Sequence, residues 1–432
     1  MNLFKNSVFL IFDKFFILFL SLILSIATYR ILGPEQIGIL TSAQSFWAMF
    51  GFLVSLGLDI VVVNYLVKYK SKTNRILSTT FILKAIGSLV AILSTLLISY
   101  IYSDNEVFRT VLLIISLNGL FQSFIVIDLY LQSNYISRYG AYVRIIARLG
   151  SSIFHVVLLV LSDDIYLFAS VNILYNILLL ILYLYLKKKY KISLSISYFN
   201  SKLSKLLLVR SLPLILSAIS VPLFLQSDVL MINYMLGSHE AGIYSASVKL
   251  VIPLTLFSTA IMMAYFPILV KNKAKKEFVE SSMISISSFL IWSGIIIATI
   301  VSLFSVEIIN LLYGKDYSMS AELLNVQIWT IVIAFVGPIG TRWLILYNYQ
   351  WIEFKKVVLA AILNILLNLY LIPEYGSIGA VIASLFSYFV ANILVFAFIK
   401  KTHKLLIYYL LALNPFHALK LILSKRSFNA NT

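Results

Sequence analysis

The sequence predicts an all-α polytopic membrane protein, with twelve transmembrane helices arranged as two six-helix lobes. Three observations lead there. Of the 432 residues, 61% are hydrophobic and 12% charged, with a mean hydropathy of +0.97, whereas soluble domains run near a quarter charged. The apolar residues gather in twelve long runs. A turn phrase near the start recurs at the midpoint and divides those runs six and six.

A membrane-crossing helix needs about 20 mainly apolar residues, and backbone in hydrocarbon must bond to itself, so each run is read as a helix. The runs of the first half are 10–32, 39–67, 77–102, 110–131, 142–161 and 165–187. Those of the second are 206–236, 244–270, 283–304, 323–347, 356–373 and 380–400. The run 10–32 is too long for a signal-peptide core and lacks a small-residue cleavage site, so it counts as the first span. Cysteine is absent, which excludes disulfides and thiol chemistry.

The connectors alternate in charge, and this orders the topology. Lys68, Lys70, Lys72 and Arg75 follow the second run; Lys187, Lys188, Lys189, Lys191, Lys202 and Lys205 follow the sixth. Lys271, Lys273, Lys275 and Lys276 form a third group, Lys355 and Lys356 a fourth, and Lys400, Lys401 and Lys404 begin the tail. The other connectors carry Asp104, Glu106, Asp163, Asp164, Glu240, Glu307, Asp316 and Glu374. Positive charge stays inside, so both termini are expected in the cytoplasm. The net charge of +17 is thus mostly topology with some affinity for anionic lipid, and nucleic acid is not expected as a partner.

The repeated phrase is YRILGPEQIGILTSAQ at 29–44 and NYMLGSHEAGIYSASV at 233–248, with Leu32-Gly33 over Leu236-Gly237 at an offset of 204. That offset lays the first span over the seventh and makes a parallel repeat, with a substrate path expected between the halves. The predicted organisation is an N-terminal lobe 1–190, a linker 191–205, a C-terminal lobe 206–400 and a tail 401–432. Gly33, Pro34 and Gly38 suit a tight reversal. Basic and apolar residues in the linker's end and in 414–428 suit a helix along the inner interface or a solvated tail.

Within the spans stand Arg30, Asp59, Lys84, Arg148, Asp228, Lys249 and Arg342. Facing lipid, seven charges would cost on the order of 20 kcal/mol, so a polar cavity or mutual pairing is expected. Arg144, Arg148, Ser151 and His155 form one stripe of the fifth span, and Gln44 belongs to a polar stripe on the second. Asn172 and Asn176 share a face of the sixth span, Asn364 and Asn368 a face of the eleventh, and these amides are candidates to face sugar. Lys84, Arg148 and Arg342 are read as a cationic ring for a pyrophosphate near the cytoplasmic side, with Arg30 and Lys249 towards the release side. Long basic side chains from those depths also snorkel to headgroups. Asp59 and Asp228 sit roughly 12–14 Å inside the nearer span end, too deep to snorkel, and are candidates for H+ or Na+ coupling or for buried ion pairs.

With RILGPEQIG, GLDIVVVNYL, SDVLMINYMLGSHEAGIYSASVKL, LLYGKDY and PEYGSIGA in this order and spacing, the chain resembles the polysaccharide flippase family. This family comprises the O-antigen and capsule repeat-unit translocases of the multidrug/oligosaccharidyl-lipid/polysaccharide exporter superfamily. The resemblance covers essentially the whole chain. It implies a central V-shaped cavity and an undecaprenyl-pyrophosphate-linked oligosaccharide flipped from the cytoplasmic to the periplasmic leaflet of the bacterial inner membrane. It also implies neighbours such as a polysaccharide polymerase and chain-length regulator. Arg30, Asp228 and Lys249 match basic and acidic positions of the family, whereas Asn64 stands where many relatives carry a base.

Three alternatives remain. A membrane glycosyltransferase or polymerase would need a large external loop or a carboxylate-rich surface site. A cation-coupled multidrug exporter of the same superfamily would favour an acid-rich cavity, but among the seven charges named above bases outnumber acids five to two. A lipid II flippase would tend to have two further spans. No GxxxxGK[ST] stretch is present, so ATP hydrolysis by this chain is not expected and any drive comes from an ion gradient or from downstream use of product; no cofactor is expected beyond a coupling H+ or Na+.

Overall fold

The computed structural model describes residues 3–416, so most of the tail segment 414–428 lies outside the described residues. The chain divides into two compact units, Met1–Gly242 and Ile243–Thr432. Division by packing therefore falls at 242, whereas division by repeat falls in the linker.

Among the described residues, twelve helices are long and apolar enough to cross a membrane. Those wholly in the first unit are α1 (Phe16–Met49), α2 (Gly51–Lys68), α3 (Lys70–Tyr102), α4 (Glu106–Ser133), α5 (Ser137–Leu161), α6 (Ile165–Lys189) and α7 (Ser201–Leu236). Then come α8 (Ser238–Lys271), α9 (Lys276–Leu303), α10 (Met319–Leu346), α11 (Gln350–Tyr375) and α12 (Ser377–Phe398), followed by a short α13 (His403–Ala412). Polar side chains start several of them: Asn105, Asp164 and Asn200 each accept a backbone N–H of the following first turn.

α1 runs through the predicted turn and breaks there. Gly33 has φ 70 and ψ 173, and Gly237, which ends α7, has φ 97 and ψ 172. This region of backbone space is essentially reserved for glycine, which is why the residue recurs at the same offset. Gly38 serves a different purpose from the reversal expected of it. A Cβ on Gly38 would lie 1.7 Å from the Ser238 carbonyl oxygen, and one on Gly242 would lie 1.9 Å from the Pro34 carbonyl oxygen. Each glycine stands five residues after its own turn and admits the residue just after the other turn, so the two copies of the phrase pack reciprocally.

In the first unit α1 packs on α4, α5 and α7, and α5 on α6. A second interruption divides α2 in two, where Leu56 and Gly57 are both left-handed (φ 49 and 58). Leu214 and Ile215 of α7 fill the space a Gly57 side chain would take. The end of α2, the start of α3, the end of α4, the start of α5 and the end of α6 share a core that includes Leu58, Leu66, Leu77, Ile127, Val143 and Leu186. The linker is fastened to α3: Ser195 N–H donates to Ser78 Oγ at 3.2 Å and Asn200 N–H to Thr79 Oγ1 at 3.2 Å.

A second repeat appears that the residues do not announce. Tyr135 between α4 and α5 and Asn348 between α10 and α11, 213 positions apart, are both left-handed (φ 59 and 61). Ile136 N–H donates to the Leu131 carbonyl at 2.9 Å, and Tyr349 N–H, 213 residues later, to the Leu344 carbonyl at 2.7 Å. In the second unit α11 packs on α12 and on α10, and α9 on α10 and α13.

Candidate functional site

The charges inside the helices separate into paired and unpaired groups. On α3, Lys84 is buried and its Nζ lies 2.7 Å from Asp59 Oδ1 on α2. The Asp59 side chain is 47% exposed, so the carboxylate stands between the ammonium and its surroundings.

Next to the α4–α5 turn, Arg144 Nη1 lies 3.1 Å from Asp128 Oδ1, and Gln132 donates to the other carboxylate oxygen at 2.8 Å. Gly140 makes room: a Cβ there would meet Asp128 Oδ1 at 1.9 Å. The matching corner of the second unit has Lys356 Nζ 3.0 Å from Glu353 Oε2, with Thr341 donating to Glu353 Oε1 at 2.8 Å. At the offset of 213, Thr341 replaces Asp128 and Glu353 replaces Gly140. The acid has moved across the helix pair, and the base stays on the helix after the turn. Asp128 and Lys356 escape a reading by composition: the first lies inside an apolar run, and the second joins Lys355 in what reads as a connector. Lys356 is nonetheless buried and also reaches Asn392 at 3.4 Å.

Arg148 differs. One turn after Arg144 on α5, its Nη2 donates to Ser21 of α1, and its guanidinium carbon lies 5.6 Å from the Tyr175 ring of α6. Its Nε is buried with no hydrogen-bond partner, and no carboxylate pairs with it among the described residues. Seven positions on, His155 Nε2 stands 2.8 Å from Thr28 Oγ1, seven positions after Ser21. The predicted α5 stripe therefore meets a hydroxyl stripe on α1. A guanidinium has five N–H donors in a planar fork. Arg148 engages one of them with a neutral hydroxyl, which suits the remainder to an incoming anion.

In the second unit Arg342 stacks on Phe266, 5.2 Å from the ring centre, again with no carboxylate partner among the described residues. Lys249 is half-buried on α8, Arg30 is exposed in the last turn before Gly33, and Asp228 is buried on α7. Gln44 is exposed and Asn172 half-buried. Three of the other amides lie in helix packing. Asn176 donates to Asn118 Oδ1 of α4 and to the Asn172 carbonyl, both at 2.8 Å. Asn364 donates to Ser384 of α12 at 3.4 Å and Asn368 to Asn364 at 3.3 Å, and both are fully buried. Periodicity places such amides on one face but does not tell a cavity face from a helix partner's face.

A family profile described as "Polysaccharide biosynthesis protein" matches residues 3–273, more than half of the chain. The chain belongs to the polysaccharide biosynthesis protein family. Among its relatives, the "Capsular polysaccharide biosynthesis protein CapF" of Staphylococcus aureus is 24% identical over 393 residues, covering 86% of this chain and 93% of that protein. A Haloferax volcanii protein named "Probable low-salt glycan biosynthesis flippase" is 26% identical over 175 residues. That match covers 39% of this chain and spans only 36% of the relative's length. Among solved structures, a lipid II flippase in an inward closed conformation superposes with a TM-score of 0.73 at 15% identity, over 94% of this chain and 91% of the other. An inward-facing multidrug resistance transporter, described as a member of the MOP superfamily, gives 0.71 at 12% identity, over 93% and 95%. At these identities the structural likeness establishes the fold: the two-lobed, twelve-helix transporter architecture that the sequence predicts.

Proposed function

We propose that this family member is a flippase, not an enzyme. It carries an undecaprenyl-pyrophosphate-linked oligosaccharide repeat unit from the cytoplasmic to the periplasmic leaflet by alternating access, and Arg148 binds the pyrophosphate. The observation that carries the reading is the contrast on α5. Arg144 is matched by a carboxylate 3.1 Å away, and Arg148, one turn further in, holds only neutral groups. An arginine kept inside an apolar helix without a counter-ion is expensive unless an anion visits it. A diphosphate accepts its forked donors in bidentate fashion.

Family membership and the capsule and glycan names of the relatives support a lipid-linked sugar as cargo. Arg342 is the corresponding unpaired cation of the second unit. Lys84 is held in reserve by Asp59, while Arg30 and Lys249 are assigned to the release side and Asp228 to ion coupling. The protein is placed in the cytoplasmic membrane with both termini inside, beside the polymerase that consumes its product.

The test is complementation of a strain lacking its own flippase, with surface polysaccharide measured per unit of membrane-inserted protein. Arg148→Ala is expected to reduce the polymer at least about tenfold, the loss of one charge-assisted contact, and Arg148→Lys to retain part of it. Full complementation by Arg148→Ala at normal expression would overturn the assignment.

A further inference from the structure

We propose that the cytoplasmic side of the first unit carries a separate binding site for a phosphate-bearing anion, built where the α2–α3 turn, the end of α4 and the linker after α6 converge. A cavity of about 310 Å³ opens there, edged by Lys70, Thr73, Asn74, Ser133, Asn134 and Lys191. Its volume lies at the small end of ordinary ligand sites. The floor is apolar and rigid, because Leu66 and Ile192 belong to the buried core of the unit.

The wall is ordered by the protein's own bonds. Ser193 N–H reaches Asn74 Oδ1 at 3.5 Å, and Ser78 Oγ donates to the Ser193 carbonyl at 3.4 Å, which fixes the strand of linker that bears Lys191. Lys191 itself is left-handed (φ 52) and closes α6, with its N–H on the Lys188 carbonyl and the Ile192 N–H on the Lys187 carbonyl. It also borders an adjoining, more open cavity of about 430 Å³ that adds Lys187 and Lys188.

Among the described residues no carboxylate edges either cavity. The sequence holds no acid between Asp59 and Asp104, nor between Asp164 and Asp228. Positive-inside topology accounts for lysines in these connectors, but it does not require a shaped hollow whose other edges are hydroxyls and amides. Ammonium groups beside such donors are the chemistry of a phosphate oxygen. Two sources can supply it, the headgroup of an anionic lipid or a soluble phosphate compound. Neither reading rests on the pyrophosphate site at Arg148.

The full-length protein in nanodiscs of neutral phosphatidylcholine is titrated with inorganic phosphate and with pyrophosphate at constant ionic strength, while thermal unfolding is followed. A second set of discs holds 30% phosphatidylglycerol, with co-purifying lipid counted by native mass spectrometry. Lys70→Ala/Lys191→Ala is compared with Lys202→Ala/Lys205→Ala, which removes equal charge from α7 outside the cavity. The expected result is that the first double variant weakens one of the two ligands about thirtyfold, and the second by no more than about threefold. Loss of the phosphate-induced shift identifies a soluble ligand, and loss of retained phosphatidylglycerol identifies a lipid. Equal effects of the two double variants, or no binding in either disc, would overturn the proposal.

Discussion

The corner between α4 and α5 and the corner between α10 and α11 are the same object made from different residues. Both turn on a left-handed residue, Tyr135 or Asn348, and both repeat their backbone hydrogen bonds at an offset of 213. Each is closed by a carboxylate paired with a base, Asp128 with Arg144 or Glu353 with Lys356. They differ one turn further in. The first unit has Arg148, unpaired by any described carboxylate, where the second has Ala361, and the second has its own unpaired arginine at 342 on the preceding helix. What is repeated is scaffold: the Asp128–Arg144 pair in one corner and the Thr341–Glu353 bond in the other hold adjacent helices together. What is not repeated is the position of the open arginine, and the proposed pyrophosphate contact lies at the first of these, Arg148.

The largest effect should come from opening the first corner on one side. Arg144→Ala leaves the buried Asp128 carboxylate without its cation, and about 3–5 kcal/mol of stability should be lost on thermal unfolding in detergent. Asp128→Ala/Arg144→Ala should recover more than half of it. If the double variant is as unstable as the single one, Arg144 is holding packing and not charge.

Next comes the exchange of corners. Gly140→Glu alone drives a side chain into Asp128 and should fail to accumulate in the membrane. Gly140→Glu with Asp128→Thr copies the arrangement of Thr341 and Glu353 and should fold within about 1.5 kcal/mol of the native chain. Failure of that pair would mean that the two corners are alike in outline only.

Lys356→Ala should cost less than Arg144→Ala, about 1–3 kcal/mol, because the Glu353 side chain is 26% exposed and keeps its bond from Thr341. An equal or larger loss would place the weight on Lys356 packing against Asn392 and Phe396. Smallest is Arg148→Ala, at under about 1 kcal/mol, since only a neutral hydroxyl and a ring lose a partner. The contrast drawn here between structural and open arginines requires that this variant unfold close to the native temperature.

What was legible in the sequence follows from how many residue types satisfy each physical demand. The helices were legible because hydrocarbon tolerates few alternatives. The repeat at 204 was legible because the backbone at Gly33 and Gly237 admits essentially glycine alone. The repeat at 213 was not, since a single left-handed position accepts Tyr135 in one copy and Asn348 in the other, and a salt bridge keeps its sense when the acid changes helix. Lys84 and Asp59 are legible as charges inside spans, and an ion pair with a base is one of the readings open for Asp59, but nothing in the sequence names Lys84 as that base. Asp128 and Lys356 passed unnoticed because neither position looks costly until the facing helix is known. Asn364 and Asn368 show the same limit: a shared face was visible, but not that Ser384 stands opposite it.

The most direct measurement is translocation itself. Purified protein in proteoliposomes is loaded with an undecaprenyl-pyrophosphate-linked oligosaccharide in one leaflet, and the sugar is followed as it becomes accessible to an enzyme confined to the other side. The native protein should move it, and Arg148→Ala, though folded and inserted, should do so at least about tenfold more slowly. Native-rate flipping by the folded Arg148→Ala protein would contradict the claim that the unpaired arginine of α5 receives the pyrophosphate.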